Sequence, residues 1–270
     1  MPLDPRAVES LLAFWADGGV DAALLETPLD RMAAGLEALK PRAAPPPSAS
    51  LRAAPLARAE AISDAWAVAA AREAAAAAGD LAALEAAIAA FEGCELKRQG
   101  ARQAVFARGA PDAPVMVIGE GPGAEEDQQG APFVGRAGRL LDKMLAAAGL
   151  TGRVFITNTV FWRPPGNRTP TPAEQAACAP FLERAIALVR PKLLLLAGGA
   201  SAKHMLNTTE GILSLRGRWF EWRSQDGALE IPALPTLHPA FLLRQPAAKK
   251  KAWEDLLMLA ERLDRAHRPT

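Results

Sequence analysis

Residues 113–123 read APVMVIGEGPG and residues 153–168 read RVFITNTVFWRPPGNR. In the first, an apolar strand, Val115 to Ile118, runs into a glycine-bearing turn and is followed by a helical stretch, Ala137 to Ala148. The unit repeats as Val154 to Thr157 with Ala173 to Val189, and again as Leu193 to Ala197 with Ala200 to Leu206. Strands alternating with helices at this spacing imply a mostly parallel sheet covered on both faces, because parallel neighbours need crossover connections. The fold class is therefore α/β, a three-layer sandwich around a mostly parallel central sheet. The phase of one helix is marked by Thr171-Pro172-Ala173-Glu174, an N-cap hydroxyl with proline at the first helical position and glutamate at the third.

Upstream, the sequence changes character. Arg58 to Ala78 and Leu81 to Phe91 are alanine-rich, with Leu81, Leu84 and Ile88 at helical spacing and Gly79 and Gly93 as stops. The Pro/Ala-rich segment Pro41 to Pro55 reads as a linker. Residues 1–57 are accordingly an N-terminal helical extension with its linker, and 58–270 the α/β domain with its leading helices. Residues 1–94 hold 7 Lys/Arg against 13 Asp/Glu, a net −6, and the remainder 24 against 17, a net +7. A positive C-terminal part suits a polyanionic partner, although solvated surface charge explains it equally well. No apolar run approaches the roughly 20 residues of a membrane helix, and the first residues lack the pattern of a secretory signal. A cytoplasmic monomer is expected. Cys94 and Cys178, the only cysteines, give neither a disulfide framework nor a C-x-x-C knuckle.

In open α/β sheets chemistry collects beyond the carboxyl ends of strands. Three loops qualify: Gly119-Glu120-Gly121-Pro122-Gly123 with its continuation through Gly130 to Gly135, Thr157 to Arg168, and Leu237 to Arg244. A dinucleotide-binding turn is disfavoured at the first, since the third glycine of G-x-G-x-x-G is missing and Pro122 removes an amide that a pyrophosphate would use.

These loops, taken in order, resemble the uracil-DNA glycosylase superfamily and most closely its family 4. The family's G-E-x-P-G-x-x-E-D and G-x-P-F-V-G-x-A-G are similar to residues 119–138, its T-N-x-V-K-C-R-P-P-x-N-R to Thr157–Arg168, its P-K-x-x-x-x-L-G to Pro191–Gly198, and its H-P-x-x-x-L-R to His238–Arg244. The likeness covers about Cys94 to Leu263. It implies a uracil-DNA glycosylase-like fold, with uracil-containing DNA, single- or double-stranded, as partner. The implied activity is monofunctional hydrolysis of the N-glycosidic bond, which leaves an abasic site and initiates base excision repair.

Family members hold a four-iron four-sulfur cluster on four cysteines. At the corresponding positions this chain has Phe91 and Cys94, then Trp162 and Cys178. Two thiolates cannot supply four ligands, so the resemblance implies a variant without cluster, metal or organic cofactor, in which Phe91 and Trp162 fill the vacated volume. A cross-linking relative attacks the sugar through a histidine placed after the second motif. This chain has none between Asn158 and Cys178, and His204 and His267 lie on a helix and at the tail.

By the same resemblance, the nucleotide flips out of the stack and its pocket meets charge separating between sugar and base. His238, as a neutral imidazole, donates to uracil O2. Glu120, ionised, orients the attacking water and favours an oxocarbenium-like sugar, with Asp127 supporting the water or the loop. Gly119, Gly121, Pro122 and Gly123 shape the pocket, Phe133 stacks on the base, and Asn158 pairs with O4 and N3–H, a pattern cytosine reverses. Phe241, Leu242, Arg244 and Arg163 are candidates for DNA contact and the wedge. Glu125 and Glu126 read as surface charges. The alternatives are a broader glycosylase that also removes deaminated purines and other damaged bases, and a non-catalytic DNA-binding module.

Overall fold

The computed structural model describes residues 53–265, with side chains from Asp64 onward. In chain order its elements are α1 (Ala53–Ala77), α2 (Leu81–Ala90), β1 (Ala107–Gly109), β2 (Val115–Gly119), α3 (Ala124–Gln129), α4 (Arg136–Ala147), β3 (Val154–Asn158), α5 (Pro172–Val189), β4 (Leu193–Ala197), α6 (Gly199–Leu206), α7 (Ile212–Leu215), β5 (Phe220–Arg223), β6 (Glu230–Thr236), α8 (Pro239–Arg244) and α9 (Lys249–Arg265). The extension expected over residues 1–57 lies outside the described residues as far as Arg52, as does His267. The first described helix starts at Ala53, ahead of the expected Arg58. It includes Pro55, which the first turn tolerates because its N–H would have no intrahelical acceptor.

The six strands form one sheet in the order β1-β3-β2-β4-β6-β5. The central four are parallel, and β1 and β5 close the two edges antiparallel. Strand alternation divides the core. Met116, Ile118, Phe155, Leu194 and Leu196 face a layer containing α1, α2, α5 and α6, whereas Val115, Val117, Ile156, Leu193 and Leu195 face α4 and α9. On the first side, Ala67, Ala71 and Ala75 of α1, one turn apart, are buried. Their small side chains bring α1 close to α5, where the Arg184 guanidinium bonds the carbonyl of Ala78 at 2.7 and 3.0 Å. The expected cap of α5 is present: Glu174 N donates to Thr171 Oγ1 at 3.2 Å and Thr171 N donates to Glu174 Oε2 at 2.8 Å. Among the described residues, no helix is long and apolar enough to cross a membrane.

Every parallel strand ends on the same rim. Connections leave β2 in one direction, to β3, and β4 in the other, to β6, so the rim contains a topological switch point. That is where an open α/β sheet leaves a crevice.

Candidate active site

The crevice is a cavity of about 470 Å³, within the usual range for small-molecule sites. Its wall includes Glu120, Gly121, Pro122 and Gly123 after β2, Phe133, Ala137 at the start of α4, Pro164 to Pro170 without Pro165 or Gly166, His238, and Ala240, Phe241 and Arg244 of α8. Glu126 lines it as well.

The turn after β2 is fixed from behind. Thr159 N donates to Gly119 O at 3.0 Å, Thr159 Oγ1 to Glu120 O at 2.6 Å and Ser201 Oγ to Ile118 O at 2.7 Å. These bonds satisfy buried carbonyls that the sheet no longer serves and hold Glu120 on the rim. Gly119 itself lies beneath the wall. A Cβ there would stand 2.4 Å from Asn158 Oδ1 and 2.5 Å from Phe133 Cζ, so glycine is what allows these two side chains to approach each other; Phe133 lines the cavity, and Asn158 does not. Asn158 is 1% exposed, and its Oδ1 is a buried acceptor with no hydrogen-bond partner. Leaving such an atom unpaired costs about 1–3 kcal/mol, which a folded chain sustains where a ligand supplies the donor.

Phe133 adopts a left-handed backbone, φ 55°, rare for an aromatic residue. Two features hold it. The Arg108 guanidinium donates to Pro132 O at 2.7 Å, to Phe133 O at 3.1 Å and to Asp142 Oδ1 at 2.6 Å. Gly138 lets α4 approach, since a Cβ there would lie 1.7 Å from Phe133 O. The Phe133 ring is thereby set 5.7 Å from the imidazole of His238, tilted 31°.

His238 caps α8: its Nδ1 accepts from Ala240 N at 3.1 Å. The neutral ring then carries its proton on Nε2 as a donor. Burial, then the positive charge of Arg244, lowers its pKa from 6.5 to about 4, against an opposing pull from Glu126. The histidine is seated on Gly198, φ 101°, where a Cβ would come within 2.9 Å of its own. Two residues before it, Thr236 Oγ1 donates to the buried Asp255 at 2.8 Å, and Asp255 is bonded by the Arg216 guanidinium at 2.6 and 3.1 Å. This pair fastens α9 to the end of β6. On the opposite wall Arg168 grips Glu174 through two bonds of 2.6 and 2.8 Å. Burial works against the Glu174 carboxylate, but Arg168 and the Thr171 amide hold it below the ordinary range.

Several sequence-derived placements need correction. Asp127 is buried away from the cavity and accepts from Arg102 N at 2.9 Å, so it braces the loop and does not reach water in the pocket. Leu242 is 0% exposed and packs with Leu237 and Ala252, because α8 turns it inward. It cannot enter DNA; Leu243, beside it, is 38% exposed. Arg163 bonds Asn167 Oδ1 at 2.8 Å and does not line the cavity. Glu126 is no free surface charge: its carboxylate accepts from Gly123 N at 3.2 Å and Gly135 N at 2.9 Å, joining two loops. Its G-x-x-E spacing is a legible capping signal. Arg108 and Asp255 leave no comparable trace.

Phe91, Cys94, Trp162 and Cys178 do come together in the core. The two Sγ atoms are 4.0 Å apart and both thiols are free. Phe91 stands 6.4 Å from Trp162 and 5.1 Å from Phe181, centroid to centroid. Burial and its neighbour Cys94 push the Cys178 thiol well up, whereas the bond from Cys178 lowers Cys94. Two thiols under packed rings do not fit a cluster that needs four thiolates. Among the described residues no group of three or more His, Cys, Asp or Glu is placed to hold a metal ion.

Comparison with known proteins bears on this geometry. Residues 106–257 match the family model of the uracil DNA glycosylase superfamily. The chain is 40% identical over 164 residues to the type-4 uracil-DNA glycosylase of Sulfurisphaera tokodaii, covering 58% of this chain and 74% of that protein. It is 38% identical over 162 residues to the protein of that name from Pyrobaculum aerophilum, covering 58% and 82%, and 41% identical over 142 residues to that of Thermotoga maritima, covering 52% and 71%.

Proposed function

The chain belongs to the uracil DNA glycosylase superfamily, and from this we infer that it is a uracil-DNA glycosylase, a hydrolase of N-glycosyl bonds in DNA. Uracil leaves with the electron pair of the broken C1′–N1 bond, water oxygen adds at C1′, and an abasic site remains in an intact strand. The observation that carries this reading is the unpaired Asn158 Oδ1 beside the Phe133 ring, which itself stands 5.7 Å from the imidazole of His238. An everted uracil satisfies all three: N3–H to Asn158, its face to the Phe133 ring, and O2, where charge develops, to His238. Cytosine has no N3–H to offer. Glu120 orients the water, takes its proton and stabilises the positive sugar.

The wedge belongs to α8, whose Phe241 and Arg244 line the mouth and whose Leu243 is exposed. Entry of such a side chain into the stack offsets the few kcal/mol that extrusion costs. We further propose that the protein acts as a monomer and without an iron-sulfur cluster, Phe91 and Trp162 supplying by packing what ligation supplies in its relatives. The aromatic contacts and the presence of two thiols support this.

The test is release of free base from oligonucleotides carrying single uracil, hypoxanthine or xanthine, in single strands and duplexes. Uracil should be released fastest, and Glu120→Ala and His238→Ala should each lower turnover by about 10²-fold or more with folding intact. Equal or faster release of a purine would overturn the uracil-centred account. Full activity of either variant would remove that residue from the mechanism.

A further inference from the structure

Helices α4 and α9 enclose a second hollow, of about 390 Å³, lined by Lys143, Met144, Ala147, Lys249, Lys250 and Trp253. It adjoins the catalytic cavity along two elements. Helix α4 gives Ala137 to the cavity and Lys143, six residues and about 9 Å of axial rise further on, to the hollow. Helix α8 gives Phe241 and Arg244 to the cavity, and five residues later the chain reaches Lys249. Phe241 also packs in the cluster that contains Met144.

Trp253 is large, apolar and 37% exposed, and Leu257, one turn on, is 48% exposed. The three lysines form no ion pair among the described residues, and the neighbouring carboxylates are engaged elsewhere: Asp142 by Arg108 at 2.6 Å, Glu254 near Arg216 at 3.6 Å and Glu125 by Arg139 at 3.3 Å. An uncovered indole ringed by uncommitted ammonium groups suits a nucleobase with its phosphates.

We propose that this hollow is a subsite for an unpaired nucleotide of the strand being repaired, close to the extruded one, its base stacked on Trp253 and its phosphates held by Lys143, Lys249 and Lys250. A paired base cannot offer its face to the indole, so the subsite favours single-stranded DNA over duplex. The proposal rests on DNA being the substrate, as inferred above.

The test is the affinity of the full chain for a labelled oligothymidylate, which contains no uracil, measured by fluorescence anisotropy across a salt series. Trp253→Ala should weaken binding about tenfold and Trp253→Phe should restore most of it. Replacing the three lysines by alanine should flatten the slope of log affinity against log salt by about 2. Duplex affinity should change far less. The ratio of kcat/KM on a long uracil-containing single strand to that on a trinucleotide should fall about tenfold in Trp253→Ala. Unchanged oligothymidylate binding and an unchanged ratio, or equal losses on duplex and single strand, would overturn the subsite. If the variants showed these binding effects but the wild-type protein released no uracil, the glycosylase reading would fail and the subsite stand. If uracil were released and every variant bound like wild type, the subsite would fail and the glycosylase reading stand.

Discussion

Replacing Asn158 with alanine should separate stability from activity. Most buried polar side chains hold the fold, and losing one destabilises it. Asn158 Oδ1 instead sits without a partner, so its deletion removes a desolvation penalty of about 1–3 kcal/mol from the free protein. The substitution also removes about 30 Å³ of side chain, which at about 24 cal/mol per Å³ costs roughly 0.7 kcal/mol. The balance lies between near zero and about 2 kcal/mol in favour of the variant. For a domain of this size that is a melting temperature unchanged or raised by up to about 8 °C. Catalysis should move the other way, with kcat/KM for uracil lower by about 10²-fold or more, since the contact that selects the base has gone. Calorimetry or thermal unfolding gives the first number and base release the second. A variant destabilised by about 2 kcal/mol or more would refute the reasoning, because Oδ1 would then be structural; full activity would refute it from the other side.

Four further outcomes follow. The donor form of His238, neutral with its proton on Nε2, should persist as pH falls past 6.5 and be lost only near 4; an acid-side inflection near 6.5 in kcat/KM that vanishes in His238→Gln would contradict this. The same depressed pKa means that the unfolded chain takes up the proton first, so this group's share of folding stability declines as pH drops from about 6.5 towards 4, measurable by denaturant titration. Gly119→Ala would press a methyl to 2.4 Å from Asn158 Oδ1 and 2.5 Å from the Phe133 ring; it should cost about 1–3 kcal/mol of stability and about 10²-fold in kcat/KM, and wild-type kinetics would show that the close approach of these two side chains does not matter to catalysis. Purified protein should be colourless, without stoichiometric iron, and chelation should leave uracil release unchanged; a brown solution whose activity follows its iron content would reverse that conclusion.

The central strands can be read from sequence because β2, β3 and β4 are buried on both faces and therefore appear as unbroken apolar runs ended by turns. The edge strands escape that reading. β1 is Ala107-Arg108-Gly109 and β5 is Phe220-Glu221-Trp222-Arg223, short and charged as edges are, with no pattern to distinguish them from loop. Within the site, residues that act at a turn beyond a strand, such as Glu120, Asn158 and His238, stand in recognisable motifs. Those that hold others in place do not, because Arg108 and Asp255 reach their partners only through tertiary contacts. Leu242 fails as a wedge for a related reason. Its position in the motif leads to the expectation that the segment meets DNA, but only the helical phase of α8 determines which side chain faces inward.

The bond from Ala240 N to His238 Nδ1 couples two tasks that fall to near neighbours in the chain. The imidazole proposed to receive charge from the departing base is bolted to the first turn of the helix proposed to probe the strand. On that proposal, whatever tilts the helix on contact with DNA re-aims the donor, so engagement and bond scission would share one lever arm. A stem of Leu237 and Leu242, packed against Ala252 of α9, serves as its fulcrum.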